Sequence, residues 1–371
     1  MINSKFYEYN LDEVCSRLSS GKNIPASEVF EKGLYPVYGG NGLRGYADKS
    51  NFEGDCAIVG RQGAFCGNVR FFSGKGYMTE HAVVVCGNEK SDTRYLSYLL
   101  STMQLGRLSG QSAQPGLAVG TLAKQKILLP PLAEQQRIAK ILSSLDDKIE
   151  LNNAINRNLE EQAQALFKNW FIDFAPFDGK MPDDWQIGRL SDIAEYEKDK
   201  IDIAKLNVET YYSTENMLPN KAGVSKAAGL PTTDQTMRCI PGETIISNIR
   251  PYFKKIFYCT EEVAGCSADV LCFKPKKESF SIYNYCLLYS DCFFDYMVKG
   301  SKGTKMPRGD KSQIMNYDVV IPAESVISDF NNVVSNILQQ ISNNKKENEC
   351  LAKLRDTLLP DLMSGELCLN T

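Results

Sequence analysis

The stretch Pro130-Pro131-Leu132-Ala133-Glu134-Gln135-Gln136-Arg137 opens a segment that runs to Phe171 and decides the fold. After it, apolar side chains recur at Ile138, Leu142, Leu145, Ile149, Leu159, Leu166 and Trp170. They lie on a four-then-three ladder whose remaining rungs are Asn152, Asn156 and Ala163. That is the heptad of a long helix that needs another helix against it. At 1.5 Å per residue it would be ~60 Å long, more than one compact domain covers.

The partner lies in the same chain. Displaced by 192 residues, the ladder becomes Phe330, Val334, Ile337, Ile341, Asn344, Asn348, Leu351, Arg355, Leu358 and Leu362. Asparagine occupies the same two rungs in both copies. It is a poor helix former and a costly core residue, so the coincidence is informative. The repeat extends beyond the helices. Leu11-Asp12-Glu13-Val14 is echoed by Leu190-Ser191-Asp192-Ile193, Gly54-Asp55 by Gly242-Glu243, Leu99-Leu100 by Leu287-Leu288, and Pro130 by Pro322. The layout is therefore globular, helix, globular, helix. Such a chain returns on itself, so the helices are expected to run antiparallel, with Asn152 facing Asn348 and Asn156 facing Asn344. Buried amides of this kind fix register at a cost in stability. The expected class is α+β, with two mixed α/β heads alternating with two long helices in a pseudo-two-fold repeat. The boundaries are a head at 1–130, a helix at 131–173, a head at 174–322 and a helix at 323–371.

Composition sets outer bounds. Hydrophobic residues make up 43% and charged residues 23% of 371, as in an ordinary soluble protein. The polar start and the lack of a long apolar run predict a cytoplasmic protein without a membrane partner. The 12 cysteines are scattered singly and there is one histidine, His81, so reduced buried thiols are expected rather than a metal site. A net charge of −3 gives no general affinity for nucleic acid, but a local basic patch can hold phosphate on an acidic protein.

Two similar but diverged heads suit a ligand with two unlike half-sites, and duplex DNA is such a ligand. Here the chain resembles the specificity subunits of type I restriction-modification enzymes. The resemblance rests on Leu129 to Ile138 at the first helix and on Leu354-Arg355-Asp356-Thr357-Leu358-Leu359-Pro360-Asp361-Leu362-Met363-Ser364-Gly365-Glu366-Leu367 at the end of the second. Tyr35-Pro36-Val37-Tyr38-Gly39-Gly40-Asn41-Gly42 in the first head adds to it. It covers essentially the whole chain. One departure is visible: the second helix opens Pro322-Ala323-Glu324-Ser325-Val326, so the two openings need not make equivalent contacts.

The resemblance implies a noncatalytic subunit in which each head, a target-recognition domain, reads half of a bipartite double-stranded DNA site. The helices would act as a spacing ruler and as docking surface for two adenine methyltransferase subunits, joined by restriction and translocation subunits. S-adenosylmethionine, ATP and magnesium would belong to those partners and no cofactor to this chain. The residues agree with that division. Gly40-Asn41-Gly42-Leu43-Arg44-Gly45 matches G-x-G-x-x-G, but Tyr46 to Asn51 reads as continuing loop where a cofactor site needs a helix. There is no Walker loop, no G-x-S-x-G elbow and no Asn or Asp before a Pro-Pro-aromatic run. A self-contained methyltransferase is opposed on these grounds. A coiled-coil adaptor without a DNA role is the other rival.

DNA-contact candidates sit at matching places in the two heads. The loop Gly60-Arg61-Gln62-Gly63, with Arg61 and Gln62 as candidates, matches Asn248-Ile249-Arg250-Pro251, with Asn248 and Arg250 as candidates and Lys254 just beyond. Arg and Lys read guanine and Asn and Gln read adenine in the major groove. A second loop carries Gln111 and Gln114 in the first head. In the second it carries Lys302, Lys305 and Arg308, where basic residues among glycines suit a phosphate clamp. Arg44 and Tyr46 in the Gly-rich loop are further candidates.

Overall fold

The computed structural model of the chain describes residues 6–109 and 116–367. The first half begins with β1 (Tyr7–Asn10) and a single 3-10 turn, Leu11–Val14. There follow β2 (Cys15–Ser20), β3 (Tyr35–Gly39), β4 (Gly42–Ala47), β5 (Phe52–Gly60), β6 (Val69–Met78) and β7 (Ala82–Gly87). Helices α1 (Thr93–Thr102) and α2 (Val119–Ala123), strand β8 (Lys126–Leu129) and the long helix α3 (Leu132–Phe171) complete it. Strands β2-β7-β5-β6-β3-β4 form one sheet in that order. Strand β7 is an unbroken apolar run because it is covered on both faces: Val83 and Val85 pack with α1, Ala82 and Val84 with Phe52 and Phe72. Strands β1 and β8 pair antiparallel, Tyr7 opposite Leu129, which brings the two ends of the head together.

The second half comprises β9 (Gln186–Arg189), α4 (Leu190–Ile193), β10 (Ala194–Tyr196), β11 (Lys200–Asp202), β12 (Tyr211–Tyr212), β13 (Gln235–Cys239) and β14 (Thr244–Ser247). After them come β15 (Ile256–Tyr258), β16 (Ala264–Cys266), β17 (Val270–Pro275), α5 (Ser281–Tyr289), α6 (Asp291–Lys299), α7 (Lys311–Met315), β18 (Asp318–Ile321) and α8 (Glu324–Ser364). The β9 and β18 pair repeats β1 and β8. The sheet β10-β17-β14-β15 repeats β2-β7-β5-β6. The heads then diverge. The first extends its sheet through a parallel pairing of β3 with β6, whereas the second builds a separate sheet, β11-β13-β16-β12.

The chain divides into two compact units, Met1–Asn152 with Lys345–Thr371 and Asn153–Asn344, so each unit holds one head and a segment of each long helix. In the first unit Ile138 and Leu142 of α3 and Leu362 and Met363 of α8 join the core of the head. In the second, Phe167 and Phe171 of α3 and Phe330 and Val334 of α8 do so. Helix α3 holds neither proline nor glycine. It starts where the Pro131 carbonyl accepts from the Glu134 and Gln135 N–H groups, and Phe174 at φ 52° leads the chain out of it. Helix α8 ends at Gly365, whose φ of 78° suits the residue after a helix. Every rung of both ladders is buried or half-buried.

The helix openings differ as their sequences do. Gln135 is buried, its Oε1 accepts from Asp92 N at 3.0 Å, and its Nε2 donates to the carbonyls of Lys90 and Pro130. Asp92 in turn caps α1 through Tyr95 N. The equivalent position in α8 is Ile327, fully buried in apolar surroundings. One helix is tied to its head by hydrogen bonds, the other by packing.

Candidate nucleic-acid interface

In each head the loop after the central strand is bridged to a second segment at the same repeat position. Gln62 forms a β-bridge with Gly116, and Leu117 N donates to Arg61 O at 2.8 Å. In the second head Ile249 bridges to Arg308, and Arg250 N donates to Pro307 O at 2.7 Å. Each loop leaves the end of a central strand, β5 or β14, and enters a short 3-10 turn, Gly63–Phe65 or Pro251–Phe253. Sequence alone identified the loops as separate candidates; the fold bridges them in the second head and, in the first, bridges the Arg61-Gln62 loop to Gly116 and Leu117.

The individual side chains are sorted by their partners. Gln62 is exposed, and Arg61 is half-buried with Nη1 donating to Ser20 Oγ at 3.3 Å. Gln111 and Gln114 lie outside the described residues. Asn248 is buried, its Oδ1 has no partner among the described residues, and its backbone N–H donates to Asp269 O at 2.9 Å. Arg44 and Tyr46 stand on strand β4, not in a loop. Gly40 and Asn41 make a two-residue turn of a β3-β4 hairpin, and Tyr46 exchanges both backbone hydrogen bonds with Phe30 at 2.8 Å. Arg44 is exposed and Tyr46 half-buried.

The basic loop of the second head is largely neutralised. Lys302 pairs with Asp310, Arg308 with Asp269 at 2.9 Å, and Lys254 shares Asp291 with Lys221 at 2.7 and 2.9 Å. The two lysines hold the Asp291 carboxyl below the usual carboxylate range, and Lys302 does the same for Asp310. Lys305 is exposed and, among the described residues, without an ion-pair partner. A cleft of about 1040 Å³ opens beside this loop, with Thr214, Arg250, Lys255, Ser267 and Met306 on its wall. Lys255 Nζ donates to Thr214 O at 2.5 Å, and burial lowers its pKa. In the first head a groove of about 550 Å³ exposes Asn68, Arg70 and Arg107. Sequence reading passed over these residues because they come from the start of β6, the residue before it and the turn after α1, separated in sequence and carrying no shared pattern. His81, which matches Asp269, sits beside Glu80 at 3.1 Å.

The asparagine rungs are occupied as follows. Asn152 Nδ2 donates to Asn348 Oδ1 at 2.9 Å and to Glu347 Oε2 at 2.7 Å, while Lys148 Nζ donates to Asn152 Oδ1. In the other unit Asn344 Nδ2 donates to Asn156 Oδ1 at 2.8 Å, and Gln340 Nε2 to Asn344 Oδ1. As numbers rise on α3 they fall on α8, so the helix segments of each unit pair antiparallel. Arg355, at a polar rung, donates to Asp146 Oδ1 at 2.7 Å, and Tyr98 of α1 donates to Asp146 Oδ2 at 2.5 Å. Among the described residues there is no cluster of His, Cys, Asp and Glu able to hold a metal ion, and no helix long and apolar enough to cross a membrane.

Comparison with known proteins bears on this arrangement. The model of the family described as "Type I restriction modification DNA specificity domain" matches twice, at residues 3–161 and 182–354. The chain is 30% identical over 310 residues to the type I restriction enzyme MjaIX specificity subunit of Methanocaldococcus jannaschii, covering 74% of this chain and 69% of that protein. It is 40% identical over 134 residues to the EcoprrI specificity subunit of Escherichia coli, covering 35% of this chain and 33% of that one, so that match spans about a third of the relative. Among solved structures, the S subunit of a type I restriction-modification system from M. genitalium shares the fold at a TM-score of 0.65 and 17% identity, with 100% of this chain and 98% of that one covered.

Proposed function

This chain belongs to the type I restriction-modification DNA specificity family, and from that premise we propose that it is the noncatalytic subunit that selects a bipartite double-stranded DNA site, one head to each half-site. The observation that carries the reading is the junction of two loops at the same repeat position in both heads. A conserved frame presents, at one place, residues that differ between heads: Arg61 and Gln62 in the first, Arg250, Lys305 and Arg308 in the second. Unlike half-sites require just such a combination.

Helices α3 and α8 are assigned the interval between half-sites, with the asparagine rungs setting their register. A shift of one heptad would cost two amide pairings, so the antiparallel alignment is specified more sharply than apolar rungs alone would specify it. The chain supplies recognition and orientation only. Two methyltransferase subunits, using S-adenosylmethionine, are proposed as the partners that modify the target base, with restriction subunits using ATP and magnesium as further partners. Exposed apolar side chains on the helices, Ile141, Leu151 and Ile155 of α3 and Val333 and Leu354 of α8, are candidate docking positions for these partners.

The test is protection of DNA by the full chain combined with its methyltransferase partner. Two protected segments of fixed spacing are expected, and exchange of residues 1–130 for another head should change one of them. Absence of protection, or change in both segments, would overturn the reading.

A further inference from the structure

Positions 62 and 250 are structural equivalents, and each is singled out by its own head. Both immediately precede the 3-10 turn that follows a central strand, at Gly63–Phe65 and Pro251–Phe253. Both lie where the two loops are bridged, at Gln62 with Gly116 and at Ile249 with Arg308. The backbone of Arg250 is pinned on both sides: its N–H donates to Pro307 O at 2.7 Å and its carbonyl accepts from Phe253 N at 2.9 Å. It is held at φ 51°, a conformation that arginine rarely adopts, so the surrounding loop imposes it.

The side chain of Arg250 stands apart from its basic neighbours. Lys254, Lys302 and Arg308 are each neutralised by a carboxylate, and Lys255 donates to a backbone carbonyl. Arg250 makes no ion pair and no side-chain hydrogen bond among the described residues, and its Nε is buried without a partner. It is half-buried on the wall of the large cleft, where it is recessed, while Lys305 projects from the loop. An exposed cation on a flexible stem suits a phosphate. A recessed planar guanidinium on a fixed backbone suits two acceptors in a plane, as guanine O6 and N7 provide. In the first head Gln62 is exposed at the equivalent position, and its side chain makes no hydrogen bond to a described residue. A primary amide pairs with the N6 donor and N7 acceptor of adenine.

We infer that positions 62 and 250 are an equivalent pair of base-reading positions, at which Arg250 selects guanine in one half-site and Gln62 selects adenine in the other. The inference rests on the proposed role of the heads in reading DNA. It adds that the two half-sites differ at the base pair addressed by this position, A·T for the first head and G·C for the second.

The experiment is sequencing of methylated bases in DNA from cells that express the full chain with its methyltransferase partner, beside binding assays on the same complex. Arg250→Asn, in which Asn tolerates the positive φ, should relax a single G·C position in one half-site. It should cut discrimination there roughly ten- to a hundredfold and leave the other half-site intact. Arg250→Lys keeps the charge but loses the planar fork, and should relax the same position; it also serves where the Asn variant fails to fold, with thermal melting as the control. Gln62→Arg should replace an A·T by a G·C requirement in the other half-site. An unchanged motif, relaxation in both halves, or equal weakening on all sequences with a shallower salt dependence would overturn the inference, the last by making Arg250 a phosphate contact. If the unmodified complex itself yields no bipartite motif, the parent reading fails instead.

Discussion

The two heads share a frame and differ in what covers it. In the first, Asp55 on β5 is exposed and accepts from Ser73 Oγ at 2.7 Å. In the second, the repeat equivalent is Glu243, just before β14, and it is fully buried. One of its oxygens accepts from Ile240 N and from Cys272 Sγ, and the Glu197 carboxyl lies beside it. The difference follows from topology. The first head spends its extra strands β3 and β4 on widening one sheet, so the far end of β5 remains at the surface. The second places its extra strands in a separate sheet, and Cys239 and Cys266 of that sheet pack with Ile245 and Cys272 of the shared one. Strand β14 is consequently buried along its whole length. The shared frame fixes where the candidate loops emerge, while the variable cover changes the chemistry around them.

The largest expected effect concerns the part of the frame that joins head to helix. Phe330 is almost fully buried and meets Phe167, Trp170 and Phe171 at ring-centroid distances of 6.2, 5.9 and 5.0 Å. Phe330→Ala should cost about 3–5 kcal/mol in the second unit, from lost burial and the cavity left behind. Its repeat equivalent, Ile138→Ala, should cost about 2–5 kcal/mol in the first unit, where the core is aliphatic. Chemical denaturation followed by tryptophan fluorescence checks the first variant, since both tryptophans, Trp170 and Trp185, lie in the second unit. A loss below 1 kcal/mol for Phe330→Ala would break the view that each head and its helix segments share one core.

Much of this frame was legible in the sequence because it rests on periodic or repeated signals. The heptad ladder, the asparagine coincidence and the repeated motifs pointed to the two-helix pairing and the double α+β layout, and both are present. Side-chain availability was not legible. Asn248 and Arg250 are two residues apart and both polar, yet one is buried and the other lines a cleft. The pairing of Arg308 with Asp269 joins residues far apart in sequence, and no local pattern records it. The strand holding Arg44 and Tyr46 was hidden because Gly42 and Gly45 interrupt its alternation; both adopt positive φ, which a hairpin with an irregular register uses. Glu243 carried no signal of burial beyond its match to Asp55.

That match supports a second prediction, on pH. Burial pushes the Glu243 carboxyl up to about 7, and the neighbouring Glu197 carboxylate adds to the effect. In the unfolded chain the group titrates near its ordinary value of 4.5. Between the two values the folded state therefore holds a proton that the unfolded state has lost, so stability falls as pH rises through this window. Glu197 has the opposite sign: burial raises its pKa, but the N–H groups of Asp199 and Lys198, with Glu243 and Lys274, outweigh it and hold the carboxyl low. Its contribution is lost only in more acidic solution. Glu243→Gln keeps an acceptor for Ile240 and Cys272 and offers Glu197 a permanent donor. It should flatten the decline between pH 5 and 8 and leave the protein about 1–3 kcal/mol more stable at pH 8. Thermal melting across that pH range decides, and equal slopes for Glu243→Gln and the parent would contradict the contrast between the heads.

The smallest expected effect separates cations within one loop. If basic residues count by number, Lys302, Lys305 and Arg308 should weaken DNA binding equally when each is replaced by alanine. The ion pairs argue otherwise. Lys302 and Arg308 already face carboxylates, so their approach to a phosphate means leaving Asp310 or Asp269, and the net gain is small. Lys305 has no such competitor and would displace a condensed counterion on meeting a phosphate. Lys305→Ala should reduce the slope of log affinity against log salt by about one, with a severalfold loss of affinity at low salt that disappears as salt rises. Lys302→Ala and Arg308→Ala should each alter the slope less. Titrations of the complex at several salt concentrations distinguish the cases. Equal slopes for all single variants would mean that DNA rearranges these pairs on binding, and that the charge state of the free loop does not govern its contacts.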